Sequence, residues 1–331
     1  MRALVTGGGG FLGGAIARLL VERGDTVLSF SRGEYPELAR LGVEQIQGDL
    51  ADREAVLRAA TGCDIVFHVA AKAGIWGSHA EYHRANVTGT ENVLAACRHH
   101  GIGRLVYTGS PSVVFDGRDV EGGDESLPYP THFEAHYPKT KALAEQLVLA
   151  ANSPSLATVS LRPHLIWGPG DNHLVPRIVA KARAGKLRRI GNSPCLVDTV
   201  YVDNAAHAHL LAADRLVFGG AVSGKSYFIS NGEPIPLWEM VNRILAAAGL
   251  PPLTRCVPPK VAYAAGVVCE GLWSLLHLAG EPPMTRFVAR ELATAHWFNI
   301  SAARRDLGYV PQISIDEGLK RLKAWLAGAS L

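Results

Sequence analysis

The chain has 331 residues, of which 48% are hydrophobic, and a formal net charge of +3. That length can bury a large core and suits one big domain with a smaller lobe, while so slight a charge gives no electrostatic hold on nucleic acid. No run reaches the ~18 uninterrupted apolar residues of a spanning helix, and the opening Met-Arg-Ala-Leu-Val-Thr-Gly is expected to be a core strand and not a signal peptide.

Arg2–Thr6 is a short apolar strand that runs directly into Gly7-Gly-Gly-Gly10-Phe-Leu-Gly13, with a helix-like stretch from Ala15 to Glu22 behind it. Strand, glycine turn and helix form the context in which a backbone without Cβ atoms can touch a pyrophosphate at a helix N-terminus. Two registers fit, one on Gly8, Gly10 and Gly13 and one on Gly7, Gly10 and Gly13. Further strands follow at Thr26–Phe30, Val43–Gln47, Asp64–Val69, Arg104–Thr108 and Ala157–Leu161. Between them lie helices at about Asp52–Ala60, Ala80–His99 and Tyr137–Ala151. This alternation predicts an α/β fold with a parallel, doubly wound sheet, whose ligands sit beyond the carboxyl ends of the strands. That rule gathers Gly7–Gly13, Ser31, Asp49, Ala70, Ser110 and Pro163 on one edge. Beyond Pro163 the alternation fades into shorter, proline-punctuated segments. Residues 1–163 are therefore expected to form the dinucleotide-binding domain, with 201–230 returning to it, and 164–200 with 231–331 to form the substrate lobe.

Tyr137-Pro-Lys-Thr-Lys141 places a phenol and an ammonium four residues apart, on one face of a helix. A free tyrosine titrates near pH 10, and a neighbouring cation favours the phenolate. The spacing alone is common; its value comes from the glycine turn and from the serine that closes the fifth strand.

Taken together, Thr6-Gly-Gly-Gly-Gly-Phe-Leu-Gly13, Gly48-Asp49-Leu50, Val69-Ala-Ala71, Tyr107-Thr-Gly-Ser110, Tyr137-x-x-x-Lys141 and Leu161-Arg-Pro-His-Leu-Ile-Trp-Gly-Pro-Gly170 resemble an extended short-chain dehydrogenase/reductase over nearly the whole chain. Such a likeness implies a Rossmann-type sheet. Within that superfamily the chain resembles the 3β-hydroxysteroid dehydrogenase-like branch. Through Ala70-Ala-Lys-Ala-Gly-Ile-Trp-Gly77 and Trp167-Gly-Pro-Gly-Asp-Asn-His173 it also resembles the bacterial 2-alkyl-3-oxoalkanoate reductase family of long-chain olefin biosynthesis. The resemblance makes Tyr137 the proton donor to a substrate carbonyl. It makes Lys141 the holder of the nicotinamide ribose and the group that lowers the Tyr137 pKa, and Ser110 a hydrogen-bond partner of the same carbonyl oxygen. Ser112 stands as an open second donor. The cofactor-binding set it implies is Gly7, Gly10, Phe11, Leu12, Gly13, Ser31, Arg32, Asp49, Leu50, Ala70, Ala71, Lys72, Tyr137, Lys141 and Pro163.

NAD-preferring sites carry an acid at the end of the second strand, about 20 residues past the glycines, for the ribose 2′-hydroxyl. Phe30-Ser31-Arg32 has none there, and Arg32 can pair with a 2′-phosphate, so NADPH/NADP+ is the expected cofactor. The expected reaction is reduction of the 3-keto group of a long-chain 2-alkyl-3-oxoalkanoic acid. Its rivals are a 3β-hydroxysteroid or 4-carboxysteroid dehydrogenase and, from another class, a non-catalytic NADP-binding scaffold, against which the intact Ser110, Tyr137 and Lys141 argue. Expected partners are a hydrophobic acid substrate, a second copy of the chain in a homodimer and other enzymes of a hydrocarbon-synthesis assembly, with at most peripheral membrane contact.

Other clusters read as scaffold. His79 and His83 stand four apart without a third metal ligand, and no metal is expected. The five cysteines lack metal-like spacing and are expected to be reduced thiols of a cytoplasmic protein. His207 and His209 read as structural. Arg177, Lys181, Arg183, Lys186, Arg188 and Arg189 form either a solvated helix face or a site for a substrate carboxylate or an acyl-carrier partner. The apolar stretch Lys260–Leu278 is interrupted by Glu270, so a non-spanning helical lid is expected, with Trp273, Leu275 and Leu276 lining its apolar side; plain core packing is the alternative.

Overall fold

The computed structural model describes residues 1–328. Seven strands form its central sheet: β1 Arg2–Thr6, β2 Thr26–Ser31, β3 Glu44–Gln47, β4 Ile65–His68, β5 Arg104–Thr108, β6 Ala157–Pro163 and β7 Lys225–Ile229. All pair in parallel, in the spatial order β7-β6-β5-β4-β1-β2-β3. The order reverses beside β1, so the crevice of a doubly wound sheet opens there, above the glycine turn.

Side chains along the central strands alternate between two cores, as the pleat requires. Ala3, Val5, Ile65, Phe67 and Val106 join α1 (Phe11–Glu22) on one face, whereas Leu4, Val66, Leu105 and Tyr107 meet the opposite layer. That layer is built from α2 (Arg53–Ala59), α3 (Gly89–His100) and α4 (His136–Ala150). A third core joins α5 (Leu174–Arg183), α6 (Val202–Arg215) and α7 (Leu237–Ala247) through Val175, Val202 and Trp238. Beyond it run α8 (Pro259–Leu276), α9 (Arg286–Glu291) and α10 (Ile315–Gly328). A small sheet of Val120–Gly123, Leu196–Val197, Ile235–Pro236 and His296–Phe298 ties these later elements to the segment after β5.

Two helices depart from the expected boundaries, each for a local reason. α1 begins at Phe11, not Ala15, because Gly13 and Gly14 lie within its first turn. A Cβ on Gly13 would stand 2.1 Å from the Gly7 carbonyl oxygen, so the helix packs directly on the turn. The helix expected over Ala80–His99 is divided: His79–Tyr82 is α-helical, His83–Thr88 is a π turn, and α3 follows. Single π turns inside helices gather at functional sites. Here the turn aims Asn86 at Lys72, whose N–H donates to Asn86 Oδ1 at 2.7 Å, while Asn86 Nδ2 donates to Thr140 Oγ1 at 3.0 Å.

Candidate active site

The α4 helix carries an acid–base stripe longer than the Tyr137–Lys141 pair. Glu145, four residues further on, is fully buried beneath Lys141 and accepts from Tyr129 (2.7 Å), Ser160 (2.7 Å) and Arg162 (2.6 Å). Two cations and two hydroxyls thus surround one carboxylate, which is how a buried charge escapes its desolvation penalty. Lys141 is only 2% exposed; its Nζ donates to the Thr108 carbonyl at 2.6 Å and lies 4.2 Å from the Tyr107 ring centroid. Burial lowers its pKa to about 7, and the Glu145 carboxylate opposes that fall. Thr108 is held in turn by His209, which bridges the strand to the Ala205 carbonyl of α6.

At the end of β5, Ser110 Oγ lies 2.8 Å from Ser112 Oγ and accepts from the Ser112 N–H at 3.2 Å, so the second hydroxyl braces the first. Tyr137 stands in the first turn of α4, half-buried. Its phenol departs from the expectation that Lys141 would lower its pKa. Burial raises it; a hydrogen bond with Ser110 opposes the rise, and the Glu291 carboxylate adds to it. The reason is visible in the lysine, whose ammonium is directed at Thr108 and Tyr107. Glu291, at the end of α9, is itself pushed up to about 7 by burial, with His164 opposing.

The expected cofactor residues gather along the carboxyl edge. Gly7 has φ +73° and packs against Ala70, where an added Cβ would come within 2.9 Å of the Ala70 Cα. Gly10 is the exposed N-cap of α1, which has no side-chain cap and no acid in its first turn, so the N–H groups of Phe11, Leu12 and Gly13 face the crevice without a competing side chain. Gly7, Gly10 and Gly13 thus turn, open and pack the motif, and Gly8 is held as tightly, since a Cβ there would stand 2.5 Å from Ser29 Oγ. Ser31 accepts weakly from the Gly9 N–H (3.4 Å), and Arg32 is exposed with no ion pair among the described residues. Asp49 accepts from the Ala51 N–H (2.9 Å) and from Arg84 (2.8 Å); Leu50 packs on Gly89. Val69 and Ala70 donate backbone N–H groups to Thr6 Oγ1 at 3.1 and 3.2 Å, Ala71 follows them, and the Lys72 ammonium pairs with Glu81 at 3.0 Å. Pro163 is the buried last residue of β6. An open uncapped helix end, a glycine turn and a free arginine past β2 fit a nicotinamide dinucleotide.

Sequence reading missed the supports of this edge. Asn86 and Glu145 are two; Glu145 was signalled only by the continued four-residue spacing. Tyr35 lies over the glycine turn, where a Cβ on Gly9 would meet its ring at 2.0 Å, and Gln45 holds its backbone from both sides. His164, beside Pro163, bonds Asp198 at 2.5 Å and His296 at 3.2 Å, joining β6 to the small sheet. The rings of His79 and His83 lie 5.7 Å apart and are tilted by 43°, and among the described residues no group of three or more His, Cys, Asp or Glu could hold a metal ion.

Residues 4–258 match the 3-beta hydroxysteroid dehydrogenase/isomerase family. The chain belongs to that family. It is an extended short-chain dehydrogenase/reductase, an NAD(P)-dependent oxidoreductase acting on a hydroxyl or keto group. It is 60% identical to a 2-alkyl-3-oxoalkanoate reductase of Stenotrophomonas maltophilia over 98% of this chain and 99% of that protein. To a protein of the same name from Shewanella oneidensis it is 53% identical, over 98% of this chain and 86% of the other. Among solved structures it is similar to the Thermus thermophilus UDP-glucose 4-epimerase complex with NAD, with a TM-score of 0.75 and 25% identity, over 99% of this chain and 100% of that one.

Proposed function

We propose that this protein reduces the 3-keto group of a long-chain 2-alkyl-3-oxoalkanoic acid to the 3-hydroxy acid, with NADPH, in olefin biosynthesis. The observation that carries the reading is the full-length likeness, at 60% and 53% identity, to two proteins named for that reaction, in a chain that keeps Ser110, Tyr137 and Lys141 together at the sheet edge. NADPH is favoured by Ser31 and the unpaired Arg32 past β2, where an acid would be needed to bind the ribose 2′-hydroxyl.

The bound dinucleotide would supply the reducing equivalent, held by the glycine turn, Ser31, Arg32, Asp49, the Ala70–Lys72 backbone and Pro163. Ser110, braced by Ser112, would donate a hydrogen bond to the substrate oxygen and fix it beside Tyr137. Tyr137, kept protonated by its burial, would give its proton to that oxygen as negative charge develops there. Lys141, anchored on Thr108, would hold the ribose hydroxyls of the bound dinucleotide. The division into a dinucleotide unit of 1–163 with 201–230 and a substrate lobe of the rest is supported by β7, which joins the main sheet at its outer edge.

The test is NADPH consumption by the purified protein with a panel of 2-alkyl-3-oxo acids and steroids. Turnover of the oxo acids is expected. Turnover of 3-ketosteroids alone would overturn the substrate class.

A further inference from the structure

A second polar cluster, outside the proton-transfer residues, lies where α5, the loop after β4 and the loop between α8 and α9 converge. On α5, Val175 and Val179 are buried in the lobe, while Arg177 and Lys181, one turn apart, look the other way. Glu281, from the loop between α8 and α9, accepts from Arg177 Nη2 and, at 3.4 Å, from the Ile75 N–H. One carboxylate thus clasps three segments distant in sequence. Gly74 (φ +105°) lets the chain pass: a Cβ there would stand 2.9 Å from Glu281 Oε1 and 3.4 Å from the Tyr82 hydroxyl.

Tyr82 connects this cluster to the reacting centre. Its ring lies 6.4 Å from that of His136, the residue before Tyr137. Its phenol is pushed up to about 12 by burial and then by the nearby Glu281, Tyr137 and Glu81. Charge is unbalanced here. Burial and the adjacent Arg177 lower the Lys181 pKa, Glu281 opposes them, and Lys181 has no ion pair of its own among the described residues, so two cations share one acid. Of the other cations near the Tyr137 turn, Lys72 pairs with Glu81 and Arg290 with Glu134 at 2.8 Å, while Lys139, in the turn itself, is exposed. Arg177 and Glu281 are 48% and 35% exposed, and an ion pair so open to solvent adds little stability and opens readily.

A 3-oxo acid carries its carboxylate two bonds from the carbonyl carbon, and a cation that can be freed from its internal acid offers that carboxylate a charge-assisted partner. Resting on the reductase reading above, we propose that Arg177, assisted by Lys181, is the subsite for the substrate carboxylate, and that Glu281 is an internal carboxylate which the substrate displaces. The exchange swaps one anion for another on the same guanidinium, and it frees the α8–α9 loop from Ile75 as the acid enters.

The test compares a stable 2-alkyl-3-hydroxy acid with its methyl ester, both oxidised with NADP+. A charge-assisted hydrogen bond is worth about 10- to 150-fold in affinity, so Arg177→Ala should raise the acid-to-ester KM ratio by that factor. Arg177→Lys should restore part of it, and Glu281→Gln should lower the ratio. An Arg177→Ala ratio equal to wild type, or a Glu281→Gln ratio equal or higher, overturns the subsite. A wild type that oxidises acid and ester with equal KM also overturns it and leaves the reductase reading standing. A wild type that oxidises neither would sink the reductase reading; calorimetric binding of the hydroxy acid to NADP+-loaded protein then decides, and affinity unaltered by Arg177→Ala counts against the subsite.

Discussion

Lys141→Met should stabilise the folded protein while abolishing turnover, and the gain should depend on pH in a defined direction. The lysine titrates at about 7 in the folded chain, against an ordinary value of 10.5. Below the folded pKa both states are protonated, and the folded state bears the whole cost of a desolvated ammonium. Between about 7 and 10.5 the unfolded chain binds a proton that the folded chain does not, so stability rises with pH across that window. Integrated over the shift, the penalty is about 4 kcal/mol at pH 7 and about 2 kcal/mol at pH 9. Methionine fills a similar volume without the charge, and loss of the donor to Thr108 returns on the order of 1 kcal/mol of the gain. The variant should therefore melt several degrees above wild type at pH 7, and the gap should narrow on the way to pH 9. Thermal melts of both proteins at pH 6, 7 and 9 would read this directly. A gap that stays constant with pH, or a wild type that loses stability as pH rises from 7 to 9 while the variant does not, would refute the assignment of a depressed lysine.

Tyr137→Phe should bind NADPH normally, by fluorescence titration, yet lose at least about two decades of turnover, the usual worth of a general acid. Arg32→Ala should weaken NADPH by about 10- to 150-fold and hardly affect NADH, judged from KM for each cofactor; equal affinities in wild type would count against Arg32 as the 2′-phosphate partner. Trp273→Ala should raise KM for long-chain acids more than for short ones if α8 covers the hydrocarbon, and a chain-length series that shifts uniformly would assign Trp273 to packing instead.

Much of the main sheet was legible because its strands are apolar runs separated by amphipathic helices, and the glycine turn and Tyr137–Lys141 are local patterns. The supports were not, because they are set by contacts across the chain. Glu145 depends on Arg162 and Ser160 of β6 and on Tyr129, and Asn86 depends on a π turn that no propensity signals. The direction of the Tyr137 shift also escaped spacing: whether an i+4 lysine lowers a phenol depends on where its ammonium points, and here Thr108 and Tyr107 hold it.

α8 shows where hydropathy runs out. Its sequence is apolar on nearly every side, so no moment distinguishes the face that packs from the face that is left outside. The packing face is set by Gly266, where a Cβ would come within 2.7 Å of the Arg286 backbone nitrogen and which lets α8 lie close on the start of α9. Glu270 reinforces that contact through the Arg286 N–H and guanidinium, both at 2.7 Å. With that side committed, Leu275 and Leu276 of the expected apolar side end 75% and 58% exposed, and among the described residues no helix is long and apolar enough to cross a membrane. The acid that interrupts the apolar run is thus a packing residue, and the helix is bound to the chain by the two positions that hydropathy counts against it.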